Sequence, residues 1–227
     1  MNPNKKVARM AGVLYLVMAI TGAYGLLIMP SNIIVEGDIA STAQNIMNQE
    51  MLFRTGILGQ LICQVTFVYL VVVLARLFKG INETWSAQMK ALVIASVPIS
   101  FLAVVNQLAI INVLSDADIT TPFEPIQLNG ITALLLHSFQ HVIMLASVFW
   151  GLWLIPFGLL AYRSQFIPKI FGILLVIGGI GYVVSSTVYL LAPEHSAIID
   201  TIATAPSGIA EFGIILWLLT KGVRNAN

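Results

Sequence analysis

The sequence predicts an all-α polytopic membrane protein: one domain, 1–227, of six transmembrane helices with both termini in the cytoplasm. Three observations predict it. First, 58% of the residues are hydrophobic and only 9% are charged, whereas soluble domains carry about 25% charged residues. Second, six apolar stretches are each long enough to cross a hydrocarbon core, which takes about 20 helical residues. Third, the lysines and arginines gather at alternate ends of those stretches, as the positive-inside rule requires.

The hairpin His137–Leu191 sets the topology. Its two apolar runs flank a short basic turn, YRSQFIPK, whose Arg163 and Lys169 are expected to face the cytoplasm. The other segments follow from it. The first span, 8–29, comes after Lys5, Lys6 and Arg9. Its apolar run is longer than a signal-peptide core and lacks a clear small-x-small cleavage site, so it reads as an uncleaved span. Residues 38–49 form a polar connector. Asp38 can cap a short helix, Ser41 and Gln44 suit a capping box, and Ile39, Ala43, Ile46, Met47 and Glu50 share a face. That pattern predicts an amphipathic helix on the outer membrane surface.

Spans two and three, 51–77 and 91–114, are joined by the inner loop KGINETWSAQMK, and Pro98 is a kink site in the latter. The acidic stretch SDADITTPFEPIQLNG is expected to be an outer loop. Span four, 131–162, is about 48 Å long at the helical rise, more than the core thickness but too short for two spans and a turn. It reads as one helix, tilted or kinked at Pro156. Spans 170–191 and 205–221 complete the set, and Trp150, Trp153 and Trp217 are expected as aromatic anchors toward the inner side. In this arrangement Lys5, Lys6, Arg9, Arg76, Lys79, Lys90, Arg163, Lys169, Lys221 and Arg224 fall inside, leaving Arg54 elsewhere.

Several function classes are excluded. The single cysteine, Cys63, lies in an apolar run, so no intrachain disulfide forms and no ionisable neighbour activates the thiol. No nucleophile motif, phosphate-binding glycine loop or basic-aromatic surface for nucleic acid is present. No motif calls for a cofactor. The expected partners are the lipid bilayer and an unidentified small molecule or membrane protein.

The polar residues inside the spans carry the functional reading. Gln60, Gln64, Asn106, His137, His141 and Glu211 lie at the middle or in the outer half of their helices. Uncompensated polar groups in lipid are costly, so these residues are expected to line a polar cavity open to the outside and closed within by an apolar plug. Glu211 is the sharpest candidate. It lies ten positions before Lys221, roughly 15 Å higher and so near the bilayer middle. An intramembrane carboxylate is a candidate functional group; the bland alternative is a protonated acid hydrogen-bonded to a neighbouring helix. Arg54 stands about 33 Å above Arg76, at the outer boundary, so Glu50, one turn away, is its expected ion-pair partner.

His137 and His141 share a helix face and can present two nitrogens to one metal, with Glu211 as a further ligand. The run HSFQH lacks the glutamate of a zincin helix, and the bland reading is two histidines at a polar helix end; no metal is assigned. Gly172, Gly178, Gly179 and Gly181 in span five, with Gly208 and Gly213 in span six, let helices approach closely.

The pieces YRSQFIPKIFGILLVIGGIGY, FWGLWLIPFGLLAYRS, ARMAGVLYLVMAITG, GDIASTAQNI and MLFRTGI resemble an uncharacterised bacterial family of multi-helix integral membrane proteins, catalogued only as a domain of unknown function. The resemblance covers nearly the whole chain, and the YRS-x-F-I-P-K-I-x-G turn is its most specific element. It implies a helical membrane fold in the bacterial cytoplasmic membrane and points to Asp38, Asn45, Glu50, Arg54, Pro168 and Gly172. It implies no activity, cofactor or substrate.

The leading functional expectation is non-enzymatic: small-molecule or proton-coupled transport or sensing, with Glu211 as the titrating group. One alternative is an accessory or assembly protein that binds another membrane protein through its glycine-rich faces. A second is a metal-dependent intramembrane hydrolase using His137, His141 and Glu211.

Overall fold

The computed structural model describes residues 3–222, with no strand among them. Arg224 lies outside the described residues. Six helical stretches are long and apolar enough to cross a membrane: Lys5–Ile33, Glu50–Phe78, Glu83–Ser115, Pro125–Arg163, Lys169–Leu191 and Pro193–Thr220. The protein is therefore of the all-α, six-span class.

The first stretch is not a uniform α-helix. Helix α1 (Pro3–Ala23) passes into a π-helical turn, Tyr24–Ile28, and then into α2 (Met29–Ile33). A π turn inserts one residue and disturbs the local i→i−4 ladder. Here Gln60 Nε2 donates to the Gly25 carbonyl at 3.0 Å and the Tyr24 hydroxyl bonds Thr55 Oγ1 at 2.8 Å. The approach needs a glycine at 25, where a Cβ would sit 2.6 Å from Gln60 Cγ and 2.7 Å from the Gly56 oxygen.

The connector helix α3 (Ile39–Asn48) is capped by Asp38. One Asp38 oxygen accepts the Ser41 N–H at 2.9 Å, and the other accepts the Ser41 hydroxyl at 2.6 Å. The Ser41 hydroxyl, aided by the backbone N–H groups, holds this carboxyl below the ordinary aspartate range. Gln44 does not reach back to complete a capping box with Ser41; its amide bonds Asn48 at 2.9 Å instead. Thr42, Ala43 and Ile46 are buried, while Met47 is exposed. Asn45 Nδ2 donates to the Ile33 carbonyl at 3.1 Å, which ties α3 back to α2.

Three helices begin earlier than their apolar runs. Helix α5 (Glu83–Ser115) follows α4 (Glu50–Phe78) after a short turn, so most of the expected loop KGINETWSAQMK is helical. Asn82 explains the start, accepting the Trp85 N–H at 2.9 Å as a cap. After the short α6 (Ala117–Thr120), helix α7 (Pro125–Arg163) opens on a proline, whose fixed φ suits a first helical position. Gln127 Oε1 accepts the Glu124 N–H there at 2.8 Å. Helix α8 spans Lys169–Leu191, and α9 (Ser196–Thr220) starts well before residue 205 and runs through Pro206.

The chain forms two compact units. Met1–Val17, Val65–Val97 and Met144–Asn227 make the first, and Met18–Gln64 with Pro98–Ile143 the second. The first unit centres on aromatic rings. Trp153 stacks on Phe157 at 5.1 Å, Phe67 meets Trp153 edge-on at 5.0 Å, and Phe78 stacks on Phe166 at 5.6 Å. Trp153 is thus a core residue, 3% exposed, and not the interfacial anchor expected of it. The second unit buries Met29, Ile33, Ile46, Phe53, Ile57, Val104, Ile110 and Ile111 together.

The turn between α7 and α8 has a physical reason at nearly every position. The Ser164 hydroxyl donates to the Ala161 carbonyl at 2.7 Å and accepts the Ile167 N–H at 3.2 Å. Gln165 takes a left-handed φ of 58°. Phe166 offers its carbonyl to Trp217 Nε1 at 2.6 Å, and Ile167 is buried. Arg163 lies 4.4 Å from the Trp85 ring centroid and Lys169 lies 5.2 Å from that of Tyr162, both favourable cation–π placements. Gly172 then packs against α7, where a Cβ would meet the Gly158 oxygen and Tyr162 nitrogen at 2.7 Å.

Candidate functional site

Helices in lipid gain little from hydrophobic exclusion, so close approach and interhelical hydrogen bonds hold them together. Helices α8 and α9 use both. A Cβ at Gly178 would sit 2.5 Å from Ser207 Cβ, and one at Gly181 would strike the Ala203 carbonyl oxygen. Only glycine permits this spacing.

The close approach brings two polar stripes together. On α9, Asp200, Thr204, Ser207 and Glu211 follow the i, i+4, i+7, i+11 pattern of one helix face. On α8, Tyr182 and Ser185 share a face with Gly178. The Ser185 hydroxyl donates to Asp200 Oδ1 at 2.6 Å. Tyr182 lies close enough to interact electrostatically with Glu211 and Asp200, and the Ser207 hydroxyl is donated to the Thr204 carbonyl at 2.7 Å. Ser186 adds a hydroxyl pair with Ser147 of α7 at 3.0 Å.

Glu211 is partly buried in this stripe. The Tyr15 hydroxyl, on α1, faces its carboxyl. Tyr15 is fully buried, and its hydroxyl closes no hydrogen bond of good geometry. Among the described residues no lysine, arginine or histidine forms an ion pair with Glu211. Among the described residues, the polar groups that interact with it are the phenols of Tyr15 and Tyr182. Such a set can pass or hold a proton but offers no fixed counter-charge.

The other predicted site residues belong to the second unit. Gln60 is buried, with its amide committed to Gly25. Gln64 is buried, and its Oε1 has no partner; the same holds for Gln107 Oε1 and Thr132 Oγ1. Asn106 is partly buried and donates to the Leu102 carbonyl at 2.9 Å. His137 and His141 are exposed. Among the described residues no three His, Cys, Asp or Glu side chains are grouped so as to hold a metal ion. Arg54 Nε lies 2.6 Å from Glu50 Oε1, an exposed i, i+4 pair.

Sequence reasoning missed Tyr15, Tyr182 and Ser207 as neighbours of Glu211. The α9 stripe is visible in the spacing of residues 200, 204, 207 and 211, but its facing helices are not.

Fold and site together define a multi-pass helical membrane protein with a polar seam between two glycine-packed helices. A family model described as a domain of unknown function, DUF4386, matches residues 10–222, and the chain belongs to that family. No curated protein and no solved structure matches the chain. The family is of the uncharacterised kind that the YRSQFIPKIFG turn and its companion segments resemble.

Proposed function

We propose that this protein couples proton binding to transport or sensing of a small molecule, with Glu211 as the group that takes up and releases the proton. The observation that carries the reading is the setting of Glu211: an intramembrane carboxylate facing the Tyr15 hydroxyl and within electrostatic reach of Tyr182, without a cationic partner among the described residues. A carboxylate kept only for helix–helix adhesion is expected to close a hydrogen bond of good geometry, and the Tyr15 hydroxyl does not close one with it. Buried acceptor oxygens at Gln64, Gln107 and Thr132 support a polar ligand or water within the second unit.

The chain's lysines and arginines support an orientation with cytoplasmic termini, and the family resemblance implies a bacterial cytoplasmic membrane. The accessory-protein alternative rests on the glycine-rich faces of α8 and α9, of which Gly208 has nothing within 4 Å of an added Cβ. The α8 glycines pack this chain's own residues: Gly158, Ser207, Gly151 and Ala203.

The test uses tryptophan fluorescence of the protein in lipid nanodiscs as pH is varied. Trp153 lies 6.4 Å from the Tyr15 ring, so it reports on the Glu211 surroundings. The proposal expects a pH-dependent transition in the wild type that Glu211→Gln abolishes. An identical transition in the variant removes Glu211 from the role.

A further inference from the structure

We propose that Asp200 is the entry carboxylate for protons bound for Glu211, and that Ser185 and Tyr182 relay them along the α8–α9 seam. This rests on the reading of Glu211 as a titrating group and adds its route. Asp200 is exposed and lies near the start of α9, whereas Glu211 is partly buried eleven residues on, a helical rise of about 16 Å. No direct transfer spans that distance. Hydroxyl-bearing residues of α8 and α9 fall between the two carboxylates along the seam, and the Ser185 hydroxyl is already hydrogen-bonded to Asp200. Tyr182 interacts electrostatically with Glu211 and Asp200, while the Ser207 hydroxyl, like that of Thr204, is donated to its own helix, to the Thr204 carbonyl at 2.7 Å. The Tyr15 hydroxyl, buried and without a well-formed bond, waits at the Glu211 end.

Among the described residues, polar groups from three helices stand along the route. From α1 there is Tyr15, from α8 Tyr182 and Ser185, and from α9 itself Thr204 and Ser207. Thr204 turns its hydroxyl back to the Asp200 carbonyl at 2.8 Å, so it is occupied with its own helix. In the turn before α9, His195 and Glu194 are exposed and lie 3.8 Å apart.

The proton balance is simple. A proton from water binds an Asp200 oxygen. That O–H bond breaks as Ser185 Oγ accepts the proton and releases its own. Tyr182 accepts one proton and releases one in the same way, with water bridging where hydroxyls do not touch. A new O–H bond forms on Glu211. One proton has moved, Asp200 is again ionised, and neither hydroxyl has changed.

The experiment is a pH jump on the full chain in nanodiscs, followed by time-resolved infrared at the carboxylic-acid C=O stretch. The Glu211 band is identified by its loss in Glu211→Gln. The expected result is that Asp200→Asn slows the appearance of this band by about tenfold or more while its final amplitude is kept. Ser185→Ala slows it too, and Asp200→Glu restores the wild-type rate. The unchanged final amplitude shows that the variants fold. Wild-type rates in both Asp200→Asn and Ser185→Ala, with the Glu211 band still titrating, overturn the route and leave the role of Glu211 standing. Absence of any titrating Glu211 band in the wild type overturns that role and the route together.

Discussion

The Ser185 hydroxyl donates to Asp200 Oδ1 at 2.6 Å, joining α8 to α9 at one end of a seam whose other end holds Glu211. Interhelical hydrogen bonds in membranes are worth about 1 kcal/mol. Ser185→Ala is therefore expected to lower thermal stability modestly, by about that amount. A thermal melt in nanodiscs checks it, and an unchanged midpoint means the bond contributes only to function.

Glycine positions along the same seam separate packing from mere flexibility. Gly178→Ala places a Cβ 2.5 Å from Ser207 Cβ and 2.6 Å from its backbone nitrogen, where only movement of a helix gives relief. Overpacking of this kind costs about 1–3 kcal/mol. Gly208, on α9, has nothing within 4 Å of an added Cβ, so Gly208→Ala is expected to be neutral or mildly stabilising. Melting both variants side by side decides; equal destabilisation contradicts the packing.

Two glutamines one turn apart are predicted to behave oppositely. Gln60→Leu strands the Gly25 carbonyl in the π turn, a loss of about 1–3 kcal/mol. Gln64→Leu removes a buried oxygen that has no partner, so stability is held or raised. A chemical denaturation series on the two variants tests the contrast.

The connector carries a pH dependence of its own. Asp38 is held below the ordinary aspartate range in the folded protein by the Ser41 hydroxyl and N–H. Its stabilisation of α3 is thus fully present above the unfolded value, about 3.9, and fades as pH falls through the lower folded value. Protection of the α3 amides against hydrogen exchange, taken relative to the intrinsic rate at each pH, should fall across that acidic window. In Asp38→Ala that protection should already be lower at neutral pH and show no acid step.

Much of the fold was legible because the bilayer imposes it. A long apolar run has to be helical, since no water satisfies its backbone in lipid. Helix starts were less so, because polar residues set them. Asn82, and Gln127 with Pro125, extend α5 and α7 into sequence that reads as loop, while α9 begins at Ser196 without a side-chain cap. Trp153 reads as an interfacial anchor by type, yet it fills the aromatic core. The site was half legible. Glu211 stands out as a lone intramembrane carboxylate, but periodicity gives a residue's face, not which helix lies opposite. Tyr15 and Tyr182 are brought to it by glycine-mediated packing and by the chain's return through α9.

The most direct test is an equilibrium pH titration of the carboxylic-acid infrared bands in lipid nanodiscs, comparing the wild type with Glu211→Gln. The account predicts one band that disappears as pH rises and that the variant lacks at every pH. A wild-type spectrum matched by the variant, or a Glu211 band that persists at all pH values, contradicts it.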